Sequence, residues 1–582
     1  MPDSLTAGRV PPVAVSTTST LVTKTGAWKY IQPVYRDRVA PCNEACPVGI
    51  DVEGYLNLIR EGRTAQALDL LLRENPMPAI TGRVCHHPCE ASCNRRCFDE
   101  AVAVHEIERS MGDLALETTP RRMPGTRVGK IGIVGSGPAA LSCAYHLARL
   151  GYAVIVHEAA AEPGGMLRLG IPEYRLPRVV LNRQIEWIAA HGVEFVCGVR
   201  VGTDIPWRDF LSRFDAVFVA IGAMRSRPLG IPGEQLEGVR PGLEFLAEVN
   251  RGERPKLGAR VVVVGGGNTA MDCARTAVRL GSDVTVLYRR TRAEMPAIAA
   301  EVEEAEREGV RFTFLVAPAL LRGTDRVKSV ECQLMRLGEP DASGRRAPVP
   351  IEGSRFRLPA DTVLTAIGEL PDFRSLPTGM DLDQSGVATD QLGATSLAAV
   401  FAGGDLTRDP RSVAHAIGAG KRAAIGIDRH LLRAGGLAVN GGDPDELRYG
   451  PRGNLSITRW RGDDPVSRHA PLNEVVTFGD INTSQFVHRP RAIGQRVAVE
   501  IARAGFDEVN VGLSQDEAYE EAGRCFNCAV CNRCDLCLIL CPDIAITRDG
   551  DGYAVNLDYC KGCGVCAAEC PRGAITMTKV GE

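Results

Sequence analysis

The residues most able to do chemistry are the cysteines of the last sixty positions. Cys531-x2-Cys534-x2-Cys537-x3-Cys541-Pro542 is followed by Cys560-x2-Cys563-x2-Cys566-x3-Cys570-Pro571. Three thiolates at this spacing wrap one face of an iron–sulfur cubane, and the fourth cysteine, before proline, crosses to the other cluster. The pattern predicts one [4Fe–4S] cluster on Cys531, Cys534, Cys537 and Cys570, and a second on Cys560, Cys563, Cys566 and Cys541. A zinc ribbon is the rival reading, but four thiolates per zinc do not account for a doubled four-cysteine run ending in Cys-Pro.

Two glycine turns carry a different chemistry. Lys130–Glu158 reads as an apolar strand, a glycine turn with Gly135, Gly137, Pro138 and Ala140, a helix and a second strand ending in Glu158. Such a turn lets backbone approach a pyrophosphate at the helix N-terminus, and the acid binds ribose hydroxyls. Ala259–Arg290 repeats the unit with Gly265, Gly267 and Ala270, but its second strand ends in Tyr288-Arg289-Arg290, with Arg292 beyond and no acid. Arginine at this place suits a 2′-phosphate, which leans the second site towards NADP; a solvated basic turn is the bland alternative. An acid in one unit and arginines in the other imply a flavin in the first and a nicotinamide in the second.

The elements around these residues set the architecture. A chain of 582 residues exceeds one hydrophobic core and divides into several domains. We expect an α/β multidomain protein with two Rossmann-like nucleotide-binding domains, the second inserted in the first. A helical iron–sulfur domain precedes them and a ferredoxin-like domain follows. The expected boundaries are an extended arm at 1–30, the helical domain at 31–120, the FAD domain at 121–255 and 356–435, the NAD(P) domain at 256–355, a connecting segment at 436–524 and the ferredoxin at 525–582. Apolar spacing in Asp51–Arg73 predicts two short amphipathic helices.

Composition removes other classes. A formal net charge of -3 gives no footing for nucleic acid or an anionic membrane surface. No stretch approaches a membrane span and the start lacks a secretory pattern, so a cytoplasmic protein is expected. Twenty cysteines in such a chain favour cluster ligation over disulfides. Cys143, Cys197, Cys273 and Cys332 stand singly among apolar residues and read as small buried hydrophobes.

The order of strings from Gly135 through Pro163–Pro177, Gly265–Ala277, Tyr288–Ala297 and Phe401–Asp405 closely resembles the glutamate synthase small-subunit-like flavoproteins. The resemblance covers roughly residues 40 to 430. It implies that Gly164, Gly165, Met166 and Gly170 lie along FAD, that Gly404 and Asp405 meet its ribityl–phosphate end, and that Asn268 and Thr269 face the nicotinamide nucleotide. Gly82–Cys93 resembles the same family's two-cluster helical domain, which carries a C-x2-C pair ahead of the equivalent of Cys42. Here no cysteine precedes Cys42, and Cys525-x2-Cys528 stands in for the missing pair at the far end of the chain. By this resemblance Cys42, Cys93, Cys525 and Cys528 hold one cluster, and Cys46, Cys85, Cys89 and Glu108 hold another. Cys97 is an alternative to Glu108, and Cys525 and Cys528 as free thiols are an alternative to the first set.

The cofactors expected are therefore FAD, NAD(P) and four [4Fe–4S] clusters. Nicotinamide exchanges electrons in pairs and clusters singly, so the flavin stands between them as converter. Hydride transfer requires no acid–base residue, and none is assigned. The chain shows no thiamine diphosphate motif and no glutaminase nucleophile. The leading expectation is an NAD(P)-reducing subunit beside thiamine diphosphate 2-oxoacid oxidoreductase subunits, which the appended ferredoxin resembles. A match to phenylglyoxylate dehydrogenase implies NAD, against the arginines, so the choice of nucleotide stays open. A glutamate synthase small subunit, a freestanding enzyme working with a ferredoxin-type carrier, and a relay subunit without nicotinamide binding are the alternatives.

Overall fold

The computed structural model describes residues 30–36, 38–120, 127–341, 344–382, 385–437, 444–462, 474–550 and 552–580. The arm expected at 1–30 lies outside them except for Tyr30. The chain forms two compact units: one of residues 1–118, 428–494 and 512–582, the other of 119–427 and 495–511.

The second unit contains both nucleotide folds. Its first parallel sheet orders Val400–Ala402, Ala216–Val219, Lys130–Val134, Ala153–Glu158 and Val193–Cys197. Its second orders Arg311–Phe314, Asp283–Tyr288, Arg260–Val264, Thr362–Thr365 and Val239–Pro241. The run Val261–Val264 is buried on both faces, as strands of a covered parallel sheet must be. Val261 and Val263 pack with Met271, Ala274 and Ala277 of the helix Asn268–Arg279. Val262 and Val264 point the other way, onto Val316, Leu321 and Val330. These belong to an antiparallel sheet of Val316–Gly323, Val327–Pro340 and Arg346–Pro359, which covers that face in place of a helix.

The boundaries expected at 256 and 355 therefore move outward. Val239–Pro241 and Thr362–Thr365, both assigned by sequence to the FAD domain, are adjacent strands of the nicotinamide sheet. A three-residue strand carries too little periodicity to be assigned from sequence.

In the first unit the two helices expected in Asp51–Arg73 are Val52–Arg60 and Thr64–Glu74. Helix Pro78–Val84 crosses Val104–Leu116 with their backbones in contact. A Cβ on Gly82 would stand 2.3 Å from Arg109 N, and one on Gly112 would stand 2.1 Å from Ala79 N. This crossing carries Glu108 towards Cys85. The expected connecting segment is structured in part. Its helix Ile457–Arg461 is anchored on buried Glu74, which accepts from Ser456 Oγ at 2.6 Å and from Thr458 N at 3.1 Å.

The tail is folded onto the N-terminal block. Glu521 accepts from Ala103 N at 2.8 Å and from Ala492 N at 2.9 Å, while Arg524 pairs with Asp99 at 3.0 Å. Arg38 donates to Gly573 O at 2.6 Å. Strand Ile31–Tyr35 pairs antiparallel with Ile575–Lys579.

Candidate cofactor and cluster sites

The C-terminal cysteines gather around two small voids. One small void is lined by Cys531, Cys534, Cys537 and Cys570, with Tyr35 and Tyr553 beside them. A second is lined by Cys541, Cys560, Cys563 and Cys566, with Pro33. The helices Leu536–Ile539 and Val565–Glu569 each deliver the third cysteine of a run, and the Cys-Pro step carries the fourth across. Burial, together with the neighbouring thiols, pushes Cys566 up to about 12; Cys537 reaches about 12 for the same reason, although Tyr35 donates to it. A buried group of four thiols is unfavourable as anions unless a cation compensates them, so the donor sets fit iron–sulfur clusters.

The N-terminal cysteines form two further groups. Cys42 is pushed well above its ordinary value by burial and by the facing thiols of Cys525, Cys93 and Cys528. Those three cysteines thus meet Cys42 despite their separation in sequence. Asn94, Phe98, Phe486 and Phe526 surround them, with Asn94 donating to Cys528 Sγ at 3.6 Å. Cys46, Cys85 and Cys89 gather at a second place, where burial raises each thiol first. Glu108 adds to the rise at Cys46 and Cys85, Cys46 and Cys85 add to it at Cys89, and backbone amides of Ile50, Val48 and Gly49 oppose it at Cys46. Glu108 faces Cys46 and Cys85. Burial raises the Glu108 carboxyl to about 7, although Thr81 and Asn75 both donate to its Oε1. Cys97 is exposed, on the short helix Asn94–Cys97. Of the four single cysteines, Cys143, Cys273 and Cys332 are buried in regular elements and Cys197 is half-buried at a strand end.

At the first dinucleotide turn, Gly137 caps the helix Pro138–Leu150, with Pro138 at its first position and Ala140 fully buried against the sheet. A Cβ on Gly137 would meet nothing within 4 Å, so the phosphate side of the turn is open. Glu158 accepts from Ser136 Oγ at 2.5 Å and from Ala160 N at 2.8 Å, and Ser136 Oγ accepts from Gly164 N at 2.9 Å. Gly165 has φ 52° and passes so close that its Cβ would stand 2.8 Å from Gly137 Cα. Met166 opens the helix Met166–Leu169, which ends at Gly170. One hydrogen-bonded strip therefore joins the turn, the acid and the Pro163–Pro177 string.

At the second turn, a Cβ on Gly267 would reach only ordinary contact with Pro296 Cγ at 4.0 Å, and Asn268 Oδ1 accepts from Ile298 N at 2.9 Å. The three arginines differ. Arg290 is buried and donates to Arg346 O at 2.8 Å and to Asp341 at 2.5 Å. Arg292 is exposed and paired with Glu306 at 2.7 Å. Arg289 is exposed, its guanidinium lowered by partial burial and by the adjacent Arg290 and Arg345 charges.

Glu369, which carries no motif signal, stands between the second turn and Asp405. Thr269 Oγ1 of the second turn donates to Glu369 at 3.4 Å. Burial raises the Glu369 carboxyl, and Asp405, at the end of the FAD strand order, adds to the rise. Gly404, with φ 69°, opens the short helix that carries Asp405, whose own carboxyl is raised by burial. A second link joins Arg175 to Asp272 at 2.8 Å, and Tyr174 lies under Arg279 with 3.8 Å from guanidinium carbon to ring centre. Both join the Pro163–Pro177 string to the helix Asn268–Arg279.

These paired turns, and the match of residues 129–420 to the family described as pyridine nucleotide-disulphide oxidoreductase, decide the assignment. The chain belongs to that family. Flanking its oxidoreductase core, residues 34–119 match dihydropyrimidine dehydrogenase domain II, 4Fe-4S cluster, and residues 553–576 match a 4Fe-4S binding domain. This pyridine nucleotide-disulphide oxidoreductase is 38% identical over 524 residues to the NADPH-Fe(3+) oxidoreductase subunit beta of Geobacter sulfurreducens, covering 84% of this chain and 75% of the relative. It is 39% identical over 521 residues to the NADP(+)-dependent formate dehydrogenase subunit beta of Moorella thermoacetica, covering 84% and 70%. It is 38% identical over 412 residues to the glutamate synthase [NADPH] small chain of Escherichia coli, covering 66% and 87%. The oxidoreductase core is thus glutamate synthase small-subunit-like, with iron–sulfur domains at both ends. Among the described residues no helix is long and apolar enough to cross a membrane.

Proposed function

We propose that the chain is the NADP(H)-linked flavin subunit of a multi-subunit oxidoreductase, with four [4Fe–4S] clusters held by the four ligand sets above. FAD held in these sites would supply hydride exchange with nicotinamide and single-electron exchange with the clusters. The chain's own part is placement. The Gly135–Gly137 turn and Glu158 hold one dinucleotide, and the Gly265–Gly267 turn with Asn268 holds the other. The observation that supports this reading is the bridge from Thr269 of the second turn to Glu369, beside Asp405. Arg289 supports NADP(H) as the nucleotide, and the names of the relatives point the same way.

Glu108, facing Cys46 and Cys85, supports its place as fourth ligand over exposed Cys97. The partner subunit carries the second substrate. The ferredoxin tail suggests 2-oxoacid oxidoreductase subunits; the relatives bring formate dehydrogenase and Fe(3+) reductase assemblies forward instead. Anaerobic affinity isolation tests the reading: about sixteen irons and one flavin per chain are expected, with a co-purifying catalytic subunit. A chain isolated alone with no flavin would contradict it.

A further inference from the structure

The strand Ile31–Tyr35 reaches both C-terminal cysteine groups. Pro33 lies opposite Met577 and Tyr35 opposite Ile575 in the antiparallel pair. Two residues apart, they share one face of the strand. Pro33 lines the void of Cys541, Cys560, Cys563 and Cys566, and Tyr35 lines that of Cys531, Cys534, Cys537 and Cys570.

The two side chains bring different chemistry. Tyr35 donates its hydroxyl to Cys537 Sγ at 3.1 Å, whereas Pro33 offers no donor. Tyr553 stacks on Tyr35 with ring centres 5.7 Å apart, but commits its own hydroxyl to Asp535 at 2.6 Å. Backbone amides of Ala545 and Gly562 donate to Cys541 and Cys560 at 3.3 and 3.4 Å, bonds that the turns themselves supply. The Tyr35 bond is instead supplied by a strand from the opposite end of the chain.

Resting on the cluster assignment above, we propose that Tyr35 acts through Cys537 as a positioning residue that raises the reduction potential of the cluster on Cys531, Cys534, Cys537 and Cys570. A donor to a ligand sulfur stabilises the extra negative charge of the reduced cluster, and hydrogen bonds to sulfur are among the determinants of cluster potential. The tuned cluster is also the one beside the N-terminal group. Cys528 and Cys531 are three residues apart, which limits their Cα separation to roughly 10 Å. The hydroxyl thus makes the middle of the line a resting place for electrons, between the N-terminal clusters and the outer ferredoxin cluster.

The test is a redox titration followed by electron paramagnetic resonance on the anaerobically isolated full chain, wild type against Tyr35→Phe and Tyr553→Phe, with iron counted on every sample. Tyr35→Phe is expected to keep its iron and shift one cluster midpoint to more negative potential, a larger shift than Tyr553→Phe produces. Unchanged midpoints in Tyr35→Phe overturn the proposal alone. Loss of about four irons from Tyr35→Phe also overturns it, because the hydroxyl then holds the cluster instead of tuning it. Wild-type protein with no ferredoxin-type signal overturns the cluster assignment together with the proposal.

Discussion

Asn94 donates its side-chain amide to Cys528 Sγ over 3.6 Å, joining residues 434 positions apart in the chain. The bond closes a group in which Cys42 and Cys93 from the first hundred residues face Cys525 and Cys528 from the tail. As the ligand set proposed above, this group would make iron binding part of the tertiary structure, since ligation free energy adds to folding free energy. Cys528→Ser is expected to remove about four irons per chain and leave the flavin in place. Iron and flavin analysis of the same sample checks this; full iron content would return Cys528 to the status of a free thiol.

Gly165 gives a separate handle on the flavin. Its positive φ and the 2.8 Å approach to Gly137 leave no room for a methyl group. Gly165→Ala should therefore yield protein with its iron but with flavin content reduced several-fold, read from absorbance after extraction.

Nucleotide choice is expected to rest on Arg289. Arg289→Ala should raise KM for NADPH roughly 10- to 100-fold, the loss of one charged hydrogen bond, and leave KM for NADH nearly unchanged. Arg290→Ala should instead lower the melting temperature, because Arg290 is buried on Asp341 and Arg346 O. Steady-state kinetics with both nucleotides separates the two residues, and equal rises in both KM values would remove Arg289 from the 2′-phosphate site.

Stability of the nicotinamide domain depends on Glu308, which is buried against Arg275 at 2.7 Å and Arg279 at 2.5 Å. Burial works to raise its carboxyl, but the guanidiniums of Arg279 and Arg275 outweigh it and hold the group below its ordinary value. A depressed carboxylate contributes stability that is fully present above the unfolded value of about 4.3 and lost as pH falls through the lower folded value. Glu308→Ala takes the carboxylate from buried Arg279, while Arg275 keeps Glu301 at 2.5 Å, and should cost about 3–5 kcal/mol. Thermal melts from pH 7 down to pH 3 should show the wild type losing its advantage over the variant at the acid end.

What sequence makes legible here is chemistry with fixed spacing. The crossing of Cys541 and Cys570 to the void of the other cysteine run follows from the Cys-Pro step, and both glycine turns follow from strand, turn and helix in order. What it leaves hidden depends on packing. Strand Ile31–Tyr35 contains Pro33, which an edge strand tolerates but which masks it as a strand. Glu369 has no motif around it and is identified only when Thr269 and Asp405 close on it. Arg290 and Arg289 read alike in sequence; the hairpin that buries one and not the other lies fifty residues on, at Asp341.

The most direct test of the account is anaerobic titration of the isolated chain with NADPH, followed by optical absorbance and electron paramagnetic resonance. NADPH alone is expected to bleach the flavin and bring up reduced cluster signals in the same sample. Flavin and clusters that respond to dithionite while neither responds to NADPH would contradict it.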